Sequence, residues 1–212
     1  MKIRTDEEVI DKISQELAWR RSEILTLEGV VMRERKNIHA LRATAPMLYA
    51  HWEGFVKNSC TYYLCFISCL SLSRGQLSNN LLGLVIREKI EIFSSKSTKA
   101  ELFEELAKNF VDFIDEKAKL PYKDIIDTGS NLKPVVLRNI IFLLGLKYDF
   151  FESKEKTVIN PILEKRNGIA HGQWVEFDWE DFLFFRSEII NLMSHLKDLL
   201  ENAVVQKSYI RV

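Results

Sequence analysis

The apolar residues of this chain recur at helical steps, and that periodicity limits the fold more than any other feature. Over residues 5–38, Val9, Ile10, Ile13, Leu17, Ile24, Leu27, Val31 and Ile38 follow three-, four- and seven-residue steps, a narrow apolar stripe on one long charged helix. Asp6, Glu7 and Glu8 suit the positive end of that helix. A second helix is predicted over 39–72, where Pro46 either kinks it or marks its true start with Thr44 as cap. A polar turn at 71–80 leads to a helix over 81–93, an interruption at 94–98 and an amphipathic helix over 100–118. After a loop at 121–130, Asn131 reads as the N-cap, and Pro134 as a first-turn residue, of a helix to about 144. Residues 145–155 form an aromatic, charged link, and a further helix begins after Asn160 with Pro161 at its first position. The last helix opens at Asp178, with Asp181 completing an approximate capping box, and runs to about 205 with Phe182, Phe185, Ile189, Leu192, Met193, Leu196, Leu199 and Leu200 inward. No alternating run outweighs these patterns. The expected fold is all-α, an up-and-down bundle with additional helices, in one domain spanning 1–212.

Composition narrows the function. Lys and Arg balance Asp and Glu to a formal net charge of zero, which excludes a protein that coats nucleic acid through bulk positive charge. A local basic cleft needs only a few side chains, and Lys165 and Arg166 are candidates for one. Cys60, Cys65 and Cys69 fall on one predicted helix and read as core packing. Their odd number, with no secretory signal at the charged N-terminus, points to a reducing, cytoplasmic setting. The most apolar stretch, 59–72, is too short to span a bilayer, so no membrane partner is expected. Four histidines without ligand spacing and no phosphate-cradling glycine loop leave no metal or cofactor site to propose.

The chemistry concentrates in Arg166-Asn167-Gly168-Ile169-Ala170-His171-Gly172. Histidine exchanges protons near neutrality, and the planar arginine fork matches phosphate oxygens and can stabilise charge building up in a transition state. On a regular helix Asn167 and His171 share a face, whereas Arg166 lies about 140° round the axis from His171. Arg166 and His171 therefore converge only if the helix ends near the motif or a second copy supplies the partner. Gly168 loosens the turn, and Gly172 is well placed as a C-terminal cap. Arginine followed by histidine at such spacings is expected about once by chance with twelve Arg and four His, and Arg33 with His39 is a second copy. That copy sits in Arg33-Glu34-Arg35-Lys36-Asn37, which reads as a solvated helix face. The copy at Arg166 differs by its compound pattern: Asn after Arg, small apolar residues before His, and Gly after it.

Two further places bear on the site. Glu53, among Met47, Leu48, Trp52 and Phe55, is either an exposed ion pair with Lys57 or a carboxylate facing a cleft. His51 and Tyr49 read as packing or surface residues. The aromatics of 147–155 are either buried or stacking partners for nucleic acid.

The motif resembles the signature of the HEPN superfamily: Arg, a polar residue, several more, then His. The likeness is to the HEPN-like nucleases of bacterial toxin–antitoxin and phage-defence systems. Leu48-Tyr49-Ala50-His51-Trp52-Glu53-Gly54-Phe55-Val56-Lys57 is similar to that branch's second helix, and Asp127-Thr128-Gly129-Ser130-Asn131-Leu132-Lys133 to its middle segment. The resemblance implies a metal-independent endoribonuclease in which the RNA 2′-hydroxyl attacks the adjacent phosphate. His171 would act as general base or acid, Arg166 would hold the phosphate, Asn167 would orient one of them, and Glu53 would orient Arg166. It also implies a homodimer whose two motifs line one cleft, RNA as substrate, and an antitoxin or sensor protein as a further partner. A non-catalytic nucleotide- or RNA-binding or antitoxin-type module is the alternative, and a purely structural helix end is the third.

Overall fold

The computed structural model describes residues 1–94, 114–129 and 131–211, with side chains described outside 88–94. Helix α1 spans Asp6–Met32, with the Thr5 hydroxyl accepting from the Glu8 amide at 3.1 Å and three acidic residues in the first turn. It stops six residues short of the expected end. Asn37 is the reason: its Oδ1 accepts from the amides of His39 and Ala40 at 3.1 and 3.3 Å and so starts a new helix, α2, at Ile38–Cys69. The stripe that ran from Val31 to Ile38 therefore crosses a turn. Arg33, Glu34, Arg35 and Lys36 lie on that turn and not on a helix face.

Helix α2 passes through Pro46 without a break, and Thr44 caps nothing; its hydroxyl donates back to the Leu41 carbonyl at 2.6 Å. Proline removes one ladder bond there, but α2 is the central helix, packed against α1 and against the two last helices, and burial along its length outweighs the local loss. Trp52, Phe55, Tyr63 and Phe66 on α2 are fully buried, each a gain of about 1.5–3 kcal/mol over exposure. Cys60 and Cys65 pack in the same core as free thiols, and burial pushes the Cys60 thiol far above its ordinary range.

A 3-10 turn at Arg74–Gln76 and helix α3 at Asn79–Ser94 follow. The interruption over 95–98 and the helix over 100–113 lie outside the described residues. Ile114 and Asp115 are helical, after which the chain returns to pair the Ala118 amide with the Leu72 carbonyl at 2.8 Å. Helix α4 spans Pro134–Leu143 with Lys133, not Asn131, at its N-cap and proline at its first position. The link expected over 145–155 is largely helical. Helix α5, Asp149–Lys154, runs through a π turn at Glu155–Ile159 into helix α6, Asn160–Ala170. Pro161 has no amide to donate, and the turn before it widens so that the Asn160 amide reaches back to the Glu155 carbonyl. The aromatics of this stretch are packed inward: Phe151 is buried against Trp52, and Phe150 stacks on His195 at 3.9 Å.

Helix α7 spans Trp179–Val205 behind a true capping box, in which Asp178 accepts from the Asp181 amide at 2.8 Å. It presents Phe182, Phe185, Ile189, Leu192, Met193, Leu196 and Leu200 to the core, as expected. The described residues are helices joined by turns, with two isolated bridges and no strand, so the all-α bundle is correct. No helix among the described residues is long and apolar enough to cross a membrane.

Candidate functional site

The motif sits at the end of α6, and its glycines determine how that end is built. His171 is the C-cap, and Gly172 follows at φ +74°. The Gly172 amide donates to the Ile169 carbonyl at 3.1 Å and the Gln173 amide to the Gly168 carbonyl at 2.8 Å. This pair of bonds is a Schellman closure, which requires the left-handed residue that glycine supplies without cost. Gly168 serves a different need. A Cβ there would lie 2.5 Å from Val175 Cγ2, so the returning loop packs directly on the helix backbone. The imidazole of His171 is left exposed to solvent, with no hydrogen bond or ion pair among the described residues.

Arg166, one turn earlier, is half-buried. Its Nη1 donates to Asn131 Oδ1 at 2.5 Å and to Asn167 Oδ1 at 2.7 Å, and its guanidinium lies 5.0 Å from the centre of the Tyr49 ring. Tyr49 is itself fixed. It is buried on α2, its hydroxyl accepts from the Leu132 amide at 2.5 Å, and Glu53 follows one turn along the same helix. Burial, and then Glu53, hold that hydroxyl far above its usual range, against the opposing pull of the Leu132 amide and Arg166. It is a neutral phenol. No carboxylate comes within ion-pair distance of Arg166 among the described residues, so its charge is surrounded by neutral oxygens and an aromatic face. Its Nη2 and Nε donors make no hydrogen bond there.

A family model described as HEPN_MAE_28990/-like HEPN matches residues 9–209. The chain belongs to this HEPN family. No curated protein and no solved structure is a match.

With the segment from Arg166 to His171 placed, the expected site residues separate. Asn167 contacts Arg166 and not His171. Glu53 is within ion-pair distance of neither Lys57 nor Arg166 among the described residues; it meets the site through Tyr49. No hydrogen bond joins Arg166 to His171: the helix is unbroken from one to the other, so they leave it on different sides. Lys165 is not a free cation, since its Nζ pairs with Asp181 Oδ2 at 2.9 Å and the Glu176 carbonyl at 2.8 Å. Sequence reasoning missed the role of Asn131, read as a cap, and that of Tyr49, read as packing. The similarity of 127–133 to the family's middle segment was the one available pointer to Asn131. Also missed was the anchoring of the loop after His171. Arg42 Nη2 donates to the Gln173 carbonyl at 2.7 Å, its guanidinium lies 4.5 Å from the Trp174 ring, and His39 meets that ring edge-on at 5.9 Å.

Proposed function

We propose that this HEPN protein is a metal-independent endoribonuclease acting in toxin or antiviral defence, with a site completed by two protomers. The supporting observation is Arg166: a half-buried guanidinium held by two amide oxygens and a phenol face, with, among the described residues, no carboxylate neutralising it and three of its five N–H donors uncommitted. Such a group is prepared for a phosphate and loses nothing by letting go of an ion-pair partner.

In the reaction, one imidazole takes the proton of the RNA 2′-hydroxyl as that oxygen attacks the adjacent phosphorus. The bond from phosphorus to the 5′ oxygen breaks, and a second imidazole gives that oxygen a proton. The products are a 2′,3′-cyclic phosphate and a 5′-hydroxyl. Arg166 offsets the extra negative charge on the phosphoryl oxygens. Two histidines are needed at one phosphate, and a single protomer offers one, pointing away from its own Arg166. Pairing two copies brings both motifs to one cleft. Without that pairing the chain has a phosphate holder and no acid–base partner, which is the basis of the alternative, a non-catalytic RNA-binding or antitoxin-type module.

The test is cleavage of RNA by purified protein in chelator. His171→Ala and Arg166→Ala, each with its fold intact, should lower the rate about 10²- to 10⁴-fold. Excess His171→Ala added to the intact protein should suppress its rate, because a mixed dimer holds one imidazole where the reaction needs two. Absence of cleavage in the unmodified protein, or full rates in both variants, would sink the proposal.

A further inference from the structure

Trp174 is a large apolar side chain that remains 67% exposed although the structure holds it in place. Arg42 covers one side of the indole and also holds the preceding carbonyl; His39 closes one edge. The loop beneath cannot drift, because Gly172 closes the helix and Val175 lies against Gly168. The remaining indole surface faces solvent three residues after His171. A fixed, open aromatic surface suits a flat ligand, since the entropy of ordering the ring is already lost.

Its place relative to the motif is also defined. Arg42, Tyr49 and Glu53 stand at i, i+7 and i+11 on α2, one stripe of that helix. Arg42 reaches the loop carrying Trp174, and Tyr49 supports Arg166, roughly 10 Å further along at 1.5 Å per residue. In the other direction, just before α2, the turn carrying Arg33, Glu34, Arg35, Lys36 and Asn37 surrounds an open concavity of about 450 Å³. Its four charged side chains sum to +2 in a chain whose total is zero. Aromatic surface and basic rim thus continue the line that begins at the motif.

We propose that Trp174, backed by Arg42, is a stacking platform for a base of single-stranded RNA next to the cleaved linkage, with the strand's backbone running toward Arg33, Arg35 and Lys36. This rests on the ribonuclease reading and names how its substrate is positioned. Trp174 is a positioning residue: it meets a base and leaves the chemistry to the motif. Stacking is indifferent to base identity, so the platform favours unpaired over paired RNA without selecting a sequence.

The experiment measures binding of a fluorescent single-stranded RNA to His171→Ala, which prevents turnover, alongside cleavage by the protein with His171 intact. Trp174→Ala should weaken binding about 5- to 100-fold, and Trp174→Phe should keep most of the affinity. In cleavage, Trp174→Ala should raise KM and leave kcat within about twofold. Replacing Arg33, Arg35 and Lys36 by Ala should reduce the slope of log affinity against log salt by about 2, at roughly 0.7 per lost phosphate contact. Unchanged affinity in Trp174→Ala, with cleavage persisting in chelator, overturns the platform and leaves the ribonuclease reading standing. Loss of self-association in Trp174→Ala, with RNA affinity intact, marks a contact between copies and overturns it as well. Binding that depends on Trp174 without any cleavage upholds the platform and removes the catalytic reading; neither binding nor cleavage removes both.

Discussion

Asn131 gives the sharpest test of how Arg166 is held. Its Oδ1 accepts from Arg166 Nη1 at 2.5 Å, and Asn167 Oδ1 accepts from the same nitrogen at 2.7 Å. A hydrogen bond to a charged group contributes about 1.5–3 kcal/mol. Because Asn167 keeps its contact, Asn131→Ala should lose the lower part of that range, about 1.5 kcal/mol, equivalent to about tenfold in kcat/KM. Asn131→Asp separates geometry from charge. The carboxylate keeps or strengthens the contact and should raise the urea midpoint, yet it neutralises the guanidinium and should lower cleavage at least as far as Asn131→Ala. Initial rates on end-labelled RNA in chelator, with urea denaturation of each variant, supply both readouts. In an Arg166→Ala background neither change at 131 should matter further. Full activity in Asn131→Asp, or losses at 131 and 166 that multiply, would refute the reasoning.

Three further outcomes follow from the same geometry. Gly168→Ala gains about 1 kcal/mol of helix propensity but drives a methyl to 2.5 Å from Val175 Cγ2, an overpacking cost of about 1–3 kcal/mol. It should destabilise by about 1 kcal/mol in urea and be rescued by Val175→Ala; net stabilisation would show that the loop does not rest on the helix. Gly172→Ala, at φ +74°, should cost about 1 kcal/mol, with Gly172→Asn milder, and a thermal shift indistinguishable from zero would argue against the closure. Burial would raise the Glu16 carboxyl, but hydrogen bonds from Asn58 and Arg20 outweigh it and hold the group below its ordinary value. With the folded pKa depressed, its stabilisation is present above the unfolded carboxylate pKa and is lost as pH falls through the folded one. Glu16→Gln should therefore flatten the acid arm of stability against pH, and an unchanged arm would remove Glu16 as its source.

What was legible in the sequence was local. Helical periodicity, the Asp178 capping box and the glycine after His171 are readable because each depends on residues within a turn of one another. The end of α1 was misplaced because Ile38 continues the stripe of Val31 by seven residues, while the Asn37 cap that divides them is a single side chain. The Pro46 question was decided by packing against three helices, which no local rule contains. The motif itself was readable, and so was its splay. Its supports were not: Asn131 meets Arg166 across 35 residues and Arg42 meets Gln173 across 131. Asn131 looked like a cap because asparagine before Pro134 satisfies that rule as well.

The distribution of charge explains how a chain of zero net charge can present a phosphate site. Among the described residues, most buried or half-buried cations are neutralised by carboxylates, as Arg20 is by Glu16, Arg186 by Glu28, Lys154 by Glu188 and Lys165 by Asp181. Arg42 and Arg166 are held differently, by a backbone carbonyl and by amide oxygens, each against an aromatic ring. An ion pair would bind either guanidinium just as firmly and would cancel the field it projects. Neutral acceptors fix the position and leave the charge. Both arginines meet the same stripe of α2, one as a member and one through Tyr49, so two half-buried guanidiniums that keep their charge lie along one line of the fold.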